Sequence, residues 1–476
     1  EIKSDDGASP EEIILNAFHK AEQSEVTAWV EDREAVFPYL PVPKEQSRVV
    51  GHISYAKIGA ERFLFQNGLI LNLKQTDFEP NEINVTAMLG HGRLVESKPG
   101  MALLAEILLP DSGVGGLTKE QLKEALAPYS VYVDFQVEEN SFQLQGKGLK
   151  SERELLFQLL YTKLYDPAFR QDAFERGMQR LRQTYARMES SVEGMMHLRG
   201  ESFLAGGNLC YRAVPLELLE KITAADVKQW LRPVFQESAL EISVVGDFDP
   251  EEILKLAGRY FGSQTRKSFQ KMNGEQISFP VGKTLSLPVK THSDKGMVTV
   301  AWPTDDFWDI SRTRRLNVLA SVLDDQMRKL IREELGAAYS PYAYNRSSLV
   351  DPGYGVLRTV VVVDPQQAGM VANKLKQLGK KLAAGKITAD ELERAKEPTL
   401  TSIRDTMRTN RYWLNSVLVQ SSRNPERLKW PETIQSDIAA ITAEELSALA
   451  TKYLQADKAA QVILLPKTTT ETKKDF

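Results

Sequence analysis

Residues 222–226 read Ile222-Thr223-Ala224-Ala225-Asp226, and 219 positions later residues 441–445 read Ile441-Thr442-Ala443-Glu444-Glu445. In both copies a threonine stands three residues before an acid, the pattern of a helix N-terminus. In both, the helix leads into an apolar strand, Leu240–Val245 in one copy and Gln461–Leu465 in the other. A second pair keeps nearly the same offset, 218: Asp172-Ala173-Phe174-Glu175-Arg176 returns as Asp390-Glu391-Leu392-Glu393-Arg394. Two matches at nearly one offset, with the same succession of elements, predict a duplicated α+β unit of about 220 residues.

Outward from these anchors the first copy fills in. Phe63–Phe65, Asn67-Gly68 and Leu69–Leu73 predict a hairpin about an Asn-Gly turn, and Glu82–Leu89 alternates as a strand does. Ala102–Leu109 reads as an apolar helix stopped by Pro110. Thr118 opens another helix, with Gln121 as its reciprocal cap. Val131–Val137 and Ser141–Gly146 read as a second hairpin, and Ser151 with Glu154 caps a helix to about Leu164. Further helices run to residue 204 and over Thr223–Phe235, before the strand that ends at Gly246 and a helix opened by Pro250. Residues 262–282 are polar, basic and broken by glycine and proline, which marks a boundary. Beyond it, a strand over Gly296–Trp302 and a long helix from Ser311 to Leu335 restart the pattern.

The first stretch reads as a lead-in. A Ser9-capped helix reaches residue 22, and Phe37–Pro43, with Pro38, Pro41 and Pro43, gives an extended linker. The predicted organisation is a lead-in over 1–55, a first unit over 56–265, a linker over 266–282, a second unit over 283–470 and a polar tail over 471–476. The chain opens Glu1-Ile2-Lys3-Ser4-Asp5-Asp6, with no Met and no apolar leader. The expectation is a processed or excised piece of a longer protein.

Composition bounds the function. Of 476 residues, 42% are hydrophobic and 26% charged, enough for an ordinary core. A net charge of −4 gives no footprint for nucleic acid or an anionic membrane. No apolar run approaches the ~18 residues of a membrane span. One cysteine, Cys210, excludes an internal disulfide. The five histidines (His19, His52, His91, His197, His292) are scattered, so a Cys/His zinc ribbon is excluded.

Three segments carry a family resemblance: Leu64-Phe65-Gln66-Asn67-Gly68-Leu69, Val244-Val245-Gly246-Asp247-Phe248-Asp249-Pro250, and Ile331-Arg332-Glu333-Glu334-Leu335-Gly336-Ala337-Ala338-Tyr339-Ser340. Within the duplicated unit they resemble the pitrilysin/insulinase family of zinc metallopeptidases (inverzincins), over roughly residues 55–470. Thr76-Asp77-Phe78-Glu79-Pro80-Asn81-Glu82-Ile83 and the proline linker resemble the start of the C-terminal, non-catalytic half of the long bacterial form. The resemblance implies two homologous units, each a mixed, mostly antiparallel sheet with helices packed on one face. It implies a closed chamber made with an N-terminal catalytic half, on the same polypeptide or as a partner subunit. It also implies a peptide substrate, zinc in that other half and a periplasmic location.

In the family, a His-x-x-Glu-His helix binds zinc through its two histidines, the glutamate being the general base. The matching helix here is Gly100–Ile107. Leu103 and Ile107 stand at the histidine positions and only Glu106 is kept. Hydrocarbon side chains offer no lone pair to a metal, so no metal and no cofactor are expected in this chain, which alone is expected to be inactive. The non-catalytic half of the family contributes an Arg/Tyr pair, seven residues apart, that is thought to hydrogen-bond the substrate backbone. The matching positions are Arg332 and Tyr339. Spacing alone leaves a structural reading open beside this one, in which the arginine near a helix C-terminus meets the macrodipole and the tyrosine at a strand start packs as core with a wet hydroxyl.

Other features read blandly. His91 is a loop residue between two glycines, and His197 is packed or solvated. Tyr342 and Tyr344 read as a core strand, one face of which would line a chamber. Gly113, Gly115 and Gly116 lack the Lys-Ser/Thr of a phosphate loop. Two alternatives to the peptidase half remain: a stand-alone metal-free subunit of a two-subunit peptidase, and a non-proteolytic scaffold of the same fold.

Overall fold

The computed structural model describes residues 9–23, 35–44, 46–335 and 341–467. Two sheets organise them. The first holds β1 (Val49–Tyr55), β2 (Ala60–Phe65), β3 (Ile70–Gln75), β4 (Glu82–Leu89), β5 (Tyr132–Val137), β6 (Phe142–Leu149) and β7 (Leu240–Gly246), in the order β1-β2-β3-β7-β4-β6-β5. The second holds β8 (Thr284–Val289), β9 (Gly296–Thr304), β10 (Tyr342–Ser347), β11 (Gly355–Val363) and β12 (Ala460–Pro466), in the order β10-β11-β9-β12-β8. Taken from its other edge, β8-β12-β9-β11-β10 repeats β3-β7-β4-β6-β5 strand for strand. The exception repeats too: β3/β7 and β8/β12 are parallel, and the other pairings are antiparallel.

The helices follow the same plan. Met101–Ser112 comes after β4 as Ile310–Leu335 comes after β9, and Ala224–Glu237 precedes β7 as Ala443–Tyr453 precedes β12. Thr223 with Asp226 and Thr442 with Glu445 each form a full capping box. The duplicated α+β unit expected from the two short repeats is therefore the architecture of the chain.

Each sheet carries helices on one face. Leu71, Val85, Leu144 and Val244 share the first core with Leu104, Leu108, Phe157 and Val227. Val298, Val300, Trp302 and Val361 share the second with Leu319, Leu323, Leu375 and Leu446. The opposite faces are covered by exchange. A π-helical turn, Met196–Gly200, with Val192 and Leu204 around it, packs with Met297, Ala301, Val360 and Val462 of the second sheet. The equivalent turn, Tyr412–Leu418, returns the contact: Trp413, Leu414 and Val417 pack with Ile58, Ala60, Met88 and Val245 of the first unit.

Three local expectations change, and one strand was not expected. The helix after β4 is not stopped by Pro110 but runs to Ser112. Proline there removes one N–H bond in the last turn, and the chain turns only at Gly113, whose φ of 70° suits glycine. Ser151 does not cap the next helix, Arg153–Tyr165. It lies in a short 3₁₀ turn, and the Glu152 carboxylate instead accepts the Ser130 and Leu149 N–H groups. Val49–Tyr55, read as lead-in, adds β1 as an exposed outer strand. β8, at the far edge of the second sheet, has no forecast: its hydrophobic alternation is short and interrupted by Pro288.

Candidate functional site

At the two positions that the family resemblance assigns to zinc ligands, the Met101–Ser112 helix carries hydrocarbon. Leu103 and Ile107 pack at the edge of the first core. Ile107 presses onto the Gln171–Glu189 helix at Gly177, where a Cβ would stand 2.3 Å from its Cγ2. The residues present do not fit zinc, because neither side chain has a donor and the space between the two helices is filled. No group of three or more metal-ligating side chains is assembled among the described residues.

Glu106 has another employment. Its Oε1 accepts the Val137 N–H at 2.9 Å and its Oε2 pairs with Arg93 at 3.3 Å. Burial raises its carboxyl above the ordinary range. Val137 ends β5, the free edge of the first sheet. At β10, the equivalent edge of the second sheet, Asp324 from the Ile310–Leu335 helix accepts the Ala343 N–H at 2.8 Å. The same device thus closes both equivalent edges: a carboxylate from the following helix satisfies an outward N–H that would otherwise invite another strand.

Arg332 lies in the last turn of the Ile310–Leu335 helix with its side chain exposed. Gly336 and Tyr339 lie outside the described residues. Just beyond, Tyr342 and Tyr344 are 47% and 36% exposed, with rings stacked 5.9 Å apart. The Arg358 guanidinium stands 5.0 Å from the Tyr344 ring. The core reading of these two tyrosines is therefore corrected. β10 is an edge strand, and the covering turn from the first unit gathers residues of β11 but none of β10.

The remaining candidates settle into structural roles. His91 packs against Phe269 at 5.2 Å, and burial and Arg423 lower its pKa. His197 is exposed. Cys210 is exposed, but partial burial and nearby carboxylates push its thiol up, the opposite of an activated nucleophile. The glycine loop is occupied by Tyr39, whose hydroxyl donates to Asp166 at 2.5 Å and accepts the Gly116 N–H at 2.9 Å.

A polar seam between the units went unforeseen. Arg62 donates to Asn72 at 2.8 Å and Ser421 at 2.6 Å, and Asn72 donates to the buried Glu241 at 3.0 Å. Asn140 and Gln420 exchange amide hydrogen bonds of 3.1 and 2.9 Å. Arg423 donates to the carbonyls of Asn140 and Gly90 at 2.7 and 2.5 Å. Arg358 holds Glu201 with both arms, at 2.6 and 3.1 Å. These partners are too far apart in sequence to leave a local signal.

Comparison with known proteins agrees with this picture. Residues 221–398 match the Peptidase M16 inactive domain. The chloroplastic stromal processing peptidase of Oryza sativa subsp. indica is 24% identical over 422 residues, spanning 76% of this chain and 33% of that protein. The chain thus spans about a third of the length of that relative. Among solved structures, the ferredoxin protease FusC, in complex with Arabidopsis ferredoxin, matches with a TM-score of 0.79 at 16% identity, over 97% of this chain and 51% of that chain. The periplasmic protease PqqL from Escherichia coli matches with a TM-score of 0.73 at 18% identity, again over 97% and 51%. At such identities the structural likeness speaks for the fold alone. The match over residues 221–398 likens that part of the chain to the Peptidase M16 inactive domain, and the doubled topology agrees with the fold of these solved proteases.

Proposed function

We propose that the chain acts as the non-catalytic half of a zinc metalloendopeptidase. It closes the proteolytic chamber and helps to position the peptide, while a separate zinc-bearing half performs hydrolysis. The observation that carries this reading is Ile107 seated against Gly177, in a helix of a chain that otherwise keeps the M16 plan. FusC and the Escherichia coli protease support it, since this chain matches only 51% of each and the rest of each corresponds to a second half.

Arg332 and Tyr339 are the proposed substrate-binding pair. A guanidinium fork and a phenol both donate to a peptide carbonyl, and more strongly to the oxyanion it becomes. The exposed position of Arg332 is compatible with reaching across a chamber. Location in the periplasm belongs to the same proposal and rests on the likeness to the Escherichia coli protease of that compartment.

The test has two parts. The purified chain should contain no stoichiometric zinc and cleave no peptide; chelator-sensitive cleavage by it alone would overturn the reading. Combined with a His-x-x-Glu-His half, it should restore cleavage. In that assembly Arg332→Ala or Tyr339→Phe should lower kcat/KM by roughly 10²-fold, the usual effect of losing one transition-state donor. Unchanged kinetics would remove the pair from the site.

A further inference from the structure

The seam between the units encloses a cavity of about 360 Å³ whose walls carry opposite charge. Its acidic lining residues, Glu138, Glu139 and Glu201, all come from the first unit. Its basic ones, Arg346, Arg358 and Arg427, all come from the second. Part of this charge is settled internally, because Arg358, only 3% exposed, is held by both oxygens of Glu201.

The rest is not settled. Arg427 is 7% exposed. Among the described residues its guanidinium makes one hydrogen bond, from Nη2 to the Asn415 carbonyl at 2.7 Å, and stands 5.6 Å from the Trp430 ring, while its Nε has no hydrogen-bond partner. No carboxylate among them lies within ion-pair distance of it, and burial lowers its pKa to about 10. On the facing wall Glu139 has its ion pair to Arg346 stretched to 3.9 Å. Its carboxylate accepts no hydrogen bond among the described residues, and burial with Asp351 and Glu138 nearby raises its pKa. A buried guanidinium with no ion-paired carboxylate, only the more distant Glu241 and Glu426, is costly, whereas Glu139, its side chain 39% exposed, offers an accessible negative charge on the facing wall. A ligand bearing both charges would satisfy both walls at once.

We propose that this cavity binds a short peptide with free ends, its carboxylate on Arg427 and its ammonium on Glu139. The volume lies at the small end of ligand pockets and suits a di- or tripeptide rather than a strand of intact protein. Val356, Val419 and Tyr354 offer apolar wall for its side chains. The site lies within this chain alone and does not depend on a catalytic half.

Calorimetric titration of the full chain with trialanine tests the proposal. One saturable site is expected, weakened roughly tenfold or more by N-acetylation or by C-amidation, the scale of losing one charged hydrogen-bond partner. Arg427→Gln should weaken the free peptide and abolish the penalty for C-amidation. Glu139→Gln, on a hairpin turn with little core to disturb, should abolish the penalty for N-acetylation, so it keeps the test decisive if Arg427→Gln fails to fold. Absence of saturable binding to the wild-type chain, or equal binding of free and blocked peptides, would overturn the proposal. Because no partner half is present, either result stands whether or not the peptidase reading survives.

Discussion

Glu106 accepts the N–H at the end of a free strand edge and pairs with Arg93, so its removal strands a half-buried donor. Glu106→Ala should cost about 1–3 kcal/mol, the penalty for an unsatisfied partner. Glu106→Gln should cost less, because an amide oxygen still accepts. Urea midpoints distinguish them, and an unchanged midpoint for the alanine variant would dismiss the edge-capping role. Glu241 makes a prediction about pH. It is buried on the seam, accepts from Asn72 and Ser422, and burial holds its carboxyl above the ordinary range. Between the ordinary glutamate pKa and the raised one, the folded chain keeps a proton that the unfolded chain has released. By linkage, stability falls as pH rises through that window. Glu241→Gln should flatten that part of the profile when urea midpoints are followed from about pH 4 to about pH 8, a range starting near the free glutamate value. An identical slope in both proteins would show that Glu241 is already ionised throughout.

Helix ends are where sequence and structure can be matched element by element. Thr223 and Thr442 each accept the N–H three residues on, while the acid there returns the bond. Thr223→Ala and Thr442→Ala should each cost about 1 kcal/mol, and the costs should add because the two caps belong to different units. A non-additive pair would indicate that the caps communicate across the seam. These caps, the Asn67-Gly68 turn and the alternation of Glu82–Leu89 were legible because their signals are local. That Leu103 and Ile107 offer no donor to a metal is also legible, since their chemistry holds in any conformation. What was not legible depended on neighbours distant in sequence. Tyr342 and Tyr344 have the composition of a core strand and are exposed only because β10 is an edge. The charges of Arg427 and Glu139 acquire meaning only when two hairpin-bearing units face each other. Arg332 lies among the described residues and Tyr339 outside them, so the pairing rests on the family resemblance.

The exchange of covering turns binds the two units more tightly than a linker would. Trp413 of the second unit is buried against Ile58, Ala60, Met88 and Val245 of the first. The Lys74 ammonium, whose pKa burial lowers, lies 4.1 Å from the Trp413 ring and donates to the Ile58 carbonyl at 2.6 Å. Thr76 and Asn410 add a short hydrogen bond at the same contact. Neither sheet can bury its second face without the other unit's turn, so opening one unit exposes apolar surface on both. The whole chain should therefore unfold in one calorimetric transition, with equal van't Hoff and calorimetric enthalpies. Trp413→Ala removes the largest side chain of one covering turn and should cost about 3–5 kcal/mol, as large aromatic truncations do. It leaves the reciprocal contact of Met196 and Leu204 on the second sheet intact. The loss should therefore fall first on the first unit and split the transition in two, the lower-melting part belonging to that unit. Two independent transitions already present in the wild-type chain would mean that the exchanged turns cover the sheets without coupling them.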